Sequence, residues 1–148
     1  MKTIFDTTVR KELIDRVNNL SPNSPTLFGK MKAPQGLHHI NGALQMYLGE
    51  LSFPYHGNNF KSAILRLFTF SPMPIPKEKA QTVPPLISEG EYDIEAEKAR
   101  FADLIERVAS QANLAEWPVS PIFGKLTVDK YGKLGYKHTD HHLKQFGV

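Results

Sequence analysis

Along the chain, stretches in which apolar residues recur every three or four positions alternate with stretches rich in proline and glycine. Val9, Leu13, Val17 and Leu20 stand at spacings of four, four and three, which lays them along one side of a helix turning once in 3.6 residues. Asp6 precedes them as a plausible N-cap. Ser21-Pro22-Asn23-Ser24-Pro25 ends this helix, since proline has no amide to donate and disfavours helical geometry in the residue before it. A second helix is predicted from Pro34, in the first turn where the missing donor is tolerated, to about Leu48, just before Gly49. Pro54, Gly57, Asn58 and Asn59 read as a loop, and Phe60, Ile64, Leu67 and Phe68 predict a shorter helix after it.

Between Ser71 and Pro85 the chain carries Pro72, Pro74, Pro76, Pro84 and Pro85, too many for regular structure. This long proline-rich connection either covers a pocket or crosses the molecule. Ser88-Glu89-Gly90-Glu91 has capping-box spacing, and Ile94, Phe101, Leu104, Ile105, Val108 and Ala112 supply the apolar side of the next helix. Beyond Trp117-Pro118-Val119-Ser120-Pro121, Thr127 is placed to cap a last helix that runs nearly to the C-terminus. Strand signals are weak, so the economical architecture is all-α, an antiparallel-type helical bundle forming a single domain over residues 1–148.

Composition narrows the chemistry. A 41% hydrophobic and 22% charged content is that of an ordinary globular protein with a packed core. The absence of cysteine excludes disulfides, zinc-thiolate sites and cysteine nucleophiles, so a thiol used here would arrive with a substrate. The net charge of +3 comes from lysines and arginines scattered among fifteen acids, which argues against a nucleic-acid partner. Neither a leader-like N-terminus nor a run of ~20 apolar residues occurs, so no membrane span is expected and the cytoplasm is the default location.

Histidine placement is the most informative feature. Five of the six histidines fall in two groups, His38-His39 in the second helix and His138, His141, His142 in the last. At about 100° per residue, Asp129, Lys130, Lys133, Lys137, Asp140 and Lys144 gather on one side of the last helix, the expected water face. His138 and His142 lie on the other side, roughly 40° apart, with Val128, Tyr131, Leu134 and Phe146. His141 sits at the boundary. In the second helix His39 borders the face of Leu37, Ile40, Leu44 and Leu48, whereas His38 joins Asn41 and Gln45 on the polar side.

One inward histidine from the second helix and an i, i+4 pair from the last make a three-imidazole set for a divalent metal, if the two helices are neighbours. Each histidine alone has a plainer reading, as a hydrogen-bonded core residue or a charge complementing a helix C-terminus. Gln145 lies near the buried side and could orient a ligand histidine. Gly124, Gly132 and Gly135 lack phosphate-loop spacing and suit turns and close helix packing. Trp117 is expected in packing, or lining a pocket.

Gln35-Gly36-Leu37-His38-His39, Ser120-Pro121-Ile122-Phe123-Gly124-Lys125-Leu126-Thr127 and Lys137-His138-Thr139-Asp140-His141-His142-Leu143-Lys144-Gln145-Phe146-Gly147 together resemble the DinB-like superfamily of metal-binding helical bundles. More narrowly, they resemble a branch of it described only as a domain of unknown function. Relatives in that branch often show Trp-Gly where this chain has Tyr131-Gly132. The resemblance implies a four-helix bundle of up-down-down-up topology, with a short extra helix here. It also implies metal ligands at His39, His138 and His142, and a homodimer.

Characterised members of the superfamily include thiol S-transferases and a mycothiol-dependent maleylpyruvate isomerase. The expected function is a metal-dependent transferase of small molecules. In it, nickel, zinc, iron or manganese would activate a low-molecular-weight thiol beside a pocket lined by Tyr47, Phe68 or Trp117. A metal-dependent hydrolase, a non-catalytic metal- or ligand-binding module, and a metal-free assembly partner whose histidines satisfy one another are the alternatives.

Overall fold

A computed structural model describes residues 1–55, 59–71, 73, 75 and 89–148. Five helices run in the order α1 (Thr7–Asn18), α2 (Ala33–Tyr47), α3 (Asn59–Thr69), α4 (Ile94–Ser110) and α5 (Val128–Gln145). Among the described residues there is no strand, only an isolated antiparallel bridge between Ser120 and Gly124. The molecule is therefore all-α, as the periodicity predicts.

Local signals explain where most of the helices begin. The Asp6 carboxylate accepts from the amides of Thr8 at 2.8 Å and Val9 at 3.3 Å, satisfying two donors that the first turn of α1 leaves open. Pro34 sits in the first turn of α2, where the Gln35 side-chain oxygen also accepts from the Lys32 amide at 2.9 Å. The start of α4 differs from expectation. Its cap is Asp93, whose carboxylate accepts from the Ala96 amide at 2.7 Å, and Glu91 lies ahead of the helix. Ser88 of the expected capping box lies outside the described residues, as does most of the proline-rich connection.

The buried apolar residues form one contiguous core. Leu13 and Val17 from α1, Leu37, Ile40 and Leu44 from α2, Phe101, Leu104, Ile105 and Val108 from α4, and Leu143 with Phe146 at the end of α5 all belong to it. Both α1 and α2 pack against α4 and α5. At Gly132 and Gly135 the N-terminal segment crosses α5 so closely that a Cβ would run into Thr3 and Phe5 at the first, and within 2.6 Å of Ile4 at the second. The Ile4 amide donates to the Gly132 carbonyl there at 3.1 Å, so these glycines serve close packing as expected.

Two expectations about faces need correction. Ile64, Leu67 and Phe68 on α3 are exposed rather than turned into the core. Polar contacts tether this helix: Arg66 donates to the carbonyls of Phe123 and Lys125, and Lys137 of α5 donates to the carbonyls of Thr69 at 2.7 Å and Ser71 at 3.0 Å. Lys137 consequently leaves the water face on which the wheel placed it and is only 9% exposed. A lysine's long apolar stem lets its ammonium reach the unpaired carbonyls at a helix C-terminus, and burial lowers its pKa. Asp140, from the same expected face, is half-covered between Arg16 and Lys144. No helix among the described residues is long and apolar enough to cross a membrane.

Candidate metal centre

The packing of α2 on α5 brings together the three histidines that the wheels turned inward. One ring nitrogen from each of His39, His138 and His142 can be chosen so that all three lie within 4.8 Å of one another. The Nε2 atoms of His39 and His138 are 2.9 Å apart. All three ring centroids are 4.8 to 4.9 Å from one another, with the planes steeply inclined, so the rings converge edge to face rather than stack. His39 and His142 are 4% and 7% exposed.

Burial removes the water that would stabilise an imidazolium, and this is the main reason the pKa values of His138 and His142 fall. His142 is pushed down to about 3. Neighbouring histidines lower both further, because each would meet the others' charge. The resulting neutral imidazoles carry the lone pairs that a cation requires.

Gln145 fixes which nitrogen of His142 is available. Its Nε2 donates to the Phe28 carbonyl at 2.7 Å, so its Oε1 is the atom 2.9 Å from His142 Nδ1. A carboxamide oxygen only accepts, so Nδ1 carries the proton and Nε2 the lone pair. This is how a neighbouring group orients a metal-binding histidine, and it is the role expected of Gln145. Gly29 makes the arrangement possible, since its positive φ and missing Cβ leave room for the Gln145 amide.

Tetrahedral coordination with nitrogens at about 2.0 Å from an ion separates them by about 3.3 Å. The observed separations, from 2.9 Å to at most 4.8 Å, bracket that value. Small side-chain rotations would suffice to close the set round one ion. Three neutral imidazoles suit zinc, nickel and iron alike. The histidines cluster, and they could hold a metal.

The chain matches no family model, no curated protein and no solved structure.

The remaining expected residues are arranged differently. His141 is half-buried beside the set, its ring 5.1 Å from that of His142 and 5.2 Å from that of Phe28, and the three-histidine group does not include it. Tyr47 and Trp117 lie at another level of the molecule from the histidines. They pack on Tyr131, at ring distances of 5.2 Å and 5.0 Å, roughly 12 Å along α2 and 10 Å along α5 from the ligands at 1.5 Å rise per residue. Phe68 is exposed on α3. A groove of about 700 Å³ runs along another face of α5, lined by Phe70, Met73, Tyr136, Lys133 and His141 among others, and none of the three clustered histidines lines it.

Sequence reasoning passed over Glu97. This residue is buried on α4 and binds His38 and Asn41 of α2. A signal was present: on the wheel Glu97 falls among Ile94, Phe101 and Leu104, a lone carboxylate inside an apolar stripe. The role of Phe28 left no comparable trace, because a backbone carbonyl is the same in any residue.

Proposed function

We propose that this protein is a metal-dependent transferase of small molecules. His39, His138 and His142 would bind one divalent ion, and a low-molecular-weight thiol would be the transferred nucleophile or its carrier. The observation that carries the reading is the convergence of three histidines, with nitrogens within 4.8 Å of one another, in a chain without cysteine. A divalent ion held by three imidazoles supplies Lewis acidity at an open coordination position. The chain's own residues do the rest. Gln145 holds the proton of His142 on Nδ1, and the packed helices keep bulk water from the rings.

The same three positions support a place in the DinB-like superfamily and its four-helix, up-down-down-up arrangement, in which α3 would be the extra helix. A non-catalytic metal-binding module is the second reading. The burial of His39 and His142 favours it, since a buried centre restricts the approach of a substrate.

Metal content of untagged protein decides the first question. One ion per chain, lost in His39→Ala, His138→Ala and His142→Ala and retained in His141→Ala, is the expected result; a wild-type protein that takes up no nickel, zinc, iron or manganese refutes the metal reading. Incubating the loaded protein with thiols and electrophiles then separates the two classes. Product above the metal-free control identifies a transferase, and ligand retention without turnover identifies a binding module.

A further inference from the structure

The histidine cluster requires α2 to be held at one rotation about its own axis. Turning by about 100° per residue, α2 presents His38, Asn41 and Gln45 within an arc of about 60°, centred roughly 130° round the axis from His39. Residues of α4 engage all three. The Glu97 carboxylate accepts from Asn41 Nδ2 on Oε2 at 2.7 Å and from His38 Nδ1 on Oε1 at 2.8 Å. The same Asn41 amide donates to the Glu97 backbone carbonyl at 3.0 Å, and Arg100 donates to Gln45 Oε1 at 2.6 Å. On its other face the His38 ring stacks on Tyr92 at 3.8 Å between centroids.

Asn41 is 0% exposed, and its Oδ1 is buried without a hydrogen-bond partner. An apolar residue would avoid that cost. What Asn41 offers in return is the pair of bonds its amide makes to Glu97. Those bonds matter at the other side of the helix because metal coordination is intolerant of displacement. An imidazole tip lies about 6 Å from the helix axis, so a rotation of about 10° moves it by ~1 Å, several times the ~0.2 Å tolerance of a metal-ligand distance.

We propose that Glu97 is a positioning residue for His39: by holding His38 and Asn41, on either side of the ligand in sequence, it fixes the rotation of α2 that brings His39 Nε2 to His138 Nε2. The consequence for metal affinity rests on the reading of the histidines as ligands. The geometric claim does not, and it can be tested without an ion.

The test compares Glu97→Gln with Glu106→Gln, an exposed glutamate of α4 that pairs with Arg10. Glutamine has the size of glutamate but one acceptor oxygen and no charge: it either leaves the Asn41 amide or the His38 Nδ1 proton unmet or forces the His38 ring into its other tautomer, and in each case the two charge-assisted bonds to the carboxylate are lost. Ring-nitrogen chemical shifts of metal-free protein report the His39–His138 contact, and the visible absorption of cobalt(II) reports affinity and coordination. Glu97→Gln, folded by circular dichroism, is expected to lose the coupled ring-nitrogen signal and to bind cobalt(II) about 10- to 100-fold more weakly. Glu106→Gln should change neither.

A Glu97→Gln protein that keeps the coupled signal and binds within about twofold of wild type overturns the inference. If wild type binds no cobalt(II) while the ring signal still depends on Glu97, the metal reading falls and the positioning role stands. Should Glu97→Gln fail to fold, Asn41→Leu removes the amide while filling its space, and retention of the coupled signal there overturns the proposal equally.

Discussion

Two polar clusters are buried against α2, and they satisfy their members in different ways. Toward α4, the two oxygens of the Glu97 carboxylate accept from His38 and Asn41, so an acceptor meets donors from the chain itself. Toward α5, His39, His138 and His142 face one another, with the Nε2 atoms of His39 and His138 2.9 Å apart. In the first cluster a carboxylate is matched to donors within the chain, although Asn41 Oδ1 is left without a partner. In the second, three imidazoles converge with no acid among them, and together they could hold a cation. Buried polar groups with partners specify a packing; electron-pair donors of one kind brought together offer a place for a cation.

The comparison can be broken or sharpened by experiments on stability. The largest effect of a single substitution is expected at the cluster toward α4. With chelator present, Glu97→Ala takes the carboxylate acceptor from the His38 ring and leaves the Asn41 amide only the backbone carbonyl of residue 97, and denaturant unfolding should show a loss of about 3 kcal/mol. A loss below about 1 kcal/mol would mean that the α2–α4 cluster is not matched in the way described. Next comes the ion. Zinc at about 100 times its dissociation constant should raise wild-type stability by about 2.7 kcal/mol and leave His142→Ala unmoved; equal stabilisation of both proteins would place the binding elsewhere.

The effect of pH is graded and accumulates as the solution is acidified. His138 and His142 titrate in the folded protein below their ordinary 6.5, His142 at about 3, so below pH 6.5 the unfolded chain binds more protons than the native one. Stability of metal-free protein, full above that pH, should fall as pH drops from about 6.5 toward 3, by about 1.4 kcal/mol per pH unit for each histidine. A profile flat through this window would show that the rings are more hydrated than their burial implies. The smallest effect separates the clusters most cleanly. His138→Leu, again with chelator, should shift stability by no more than about 1 kcal/mol in either direction, because burial of an apolar side chain of similar bulk offsets the His39–His138 hydrogen bond that it removes. A loss approaching that of Glu97→Ala would show the histidines to be a matched cluster too, and would favour the metal-free reading.

Much of this arrangement is legible in the order of residues. The spacing of Val9, Leu13 and Val17 after Asp6 predicts α1 and its cap, and both are present. The i, i+4 spacing of His138 and His142 and the edge position of His39 single out the three histidines that cluster. The same wheel misplaces Lys137, because it treats every charge as water-seeking and cannot know that the free carbonyls ending α3 lie within reach of that ammonium. It misses the Glu97 cluster for a related reason: a polar stripe on one helix reads as a solvent face unless a second polar residue, far away in sequence, is known to lie against it.

The periodicity of 3.6 residues, the proline breaks and the local cap at Asp6 determine that the chain forms helices and which side chains share a face, because those effects act within a few residues of the backbone. Whether a face meets water, a carboxylate or another face of histidines depends on which helices become neighbours. That is set by contacts between residues far apart in sequence, such as His39 with His138. The candidate ligands could therefore be chosen from the sequence, whereas the Gln145–Phe28 link that orients His142 and the Glu97 contacts on the far side of α2 exist only in the folded molecule.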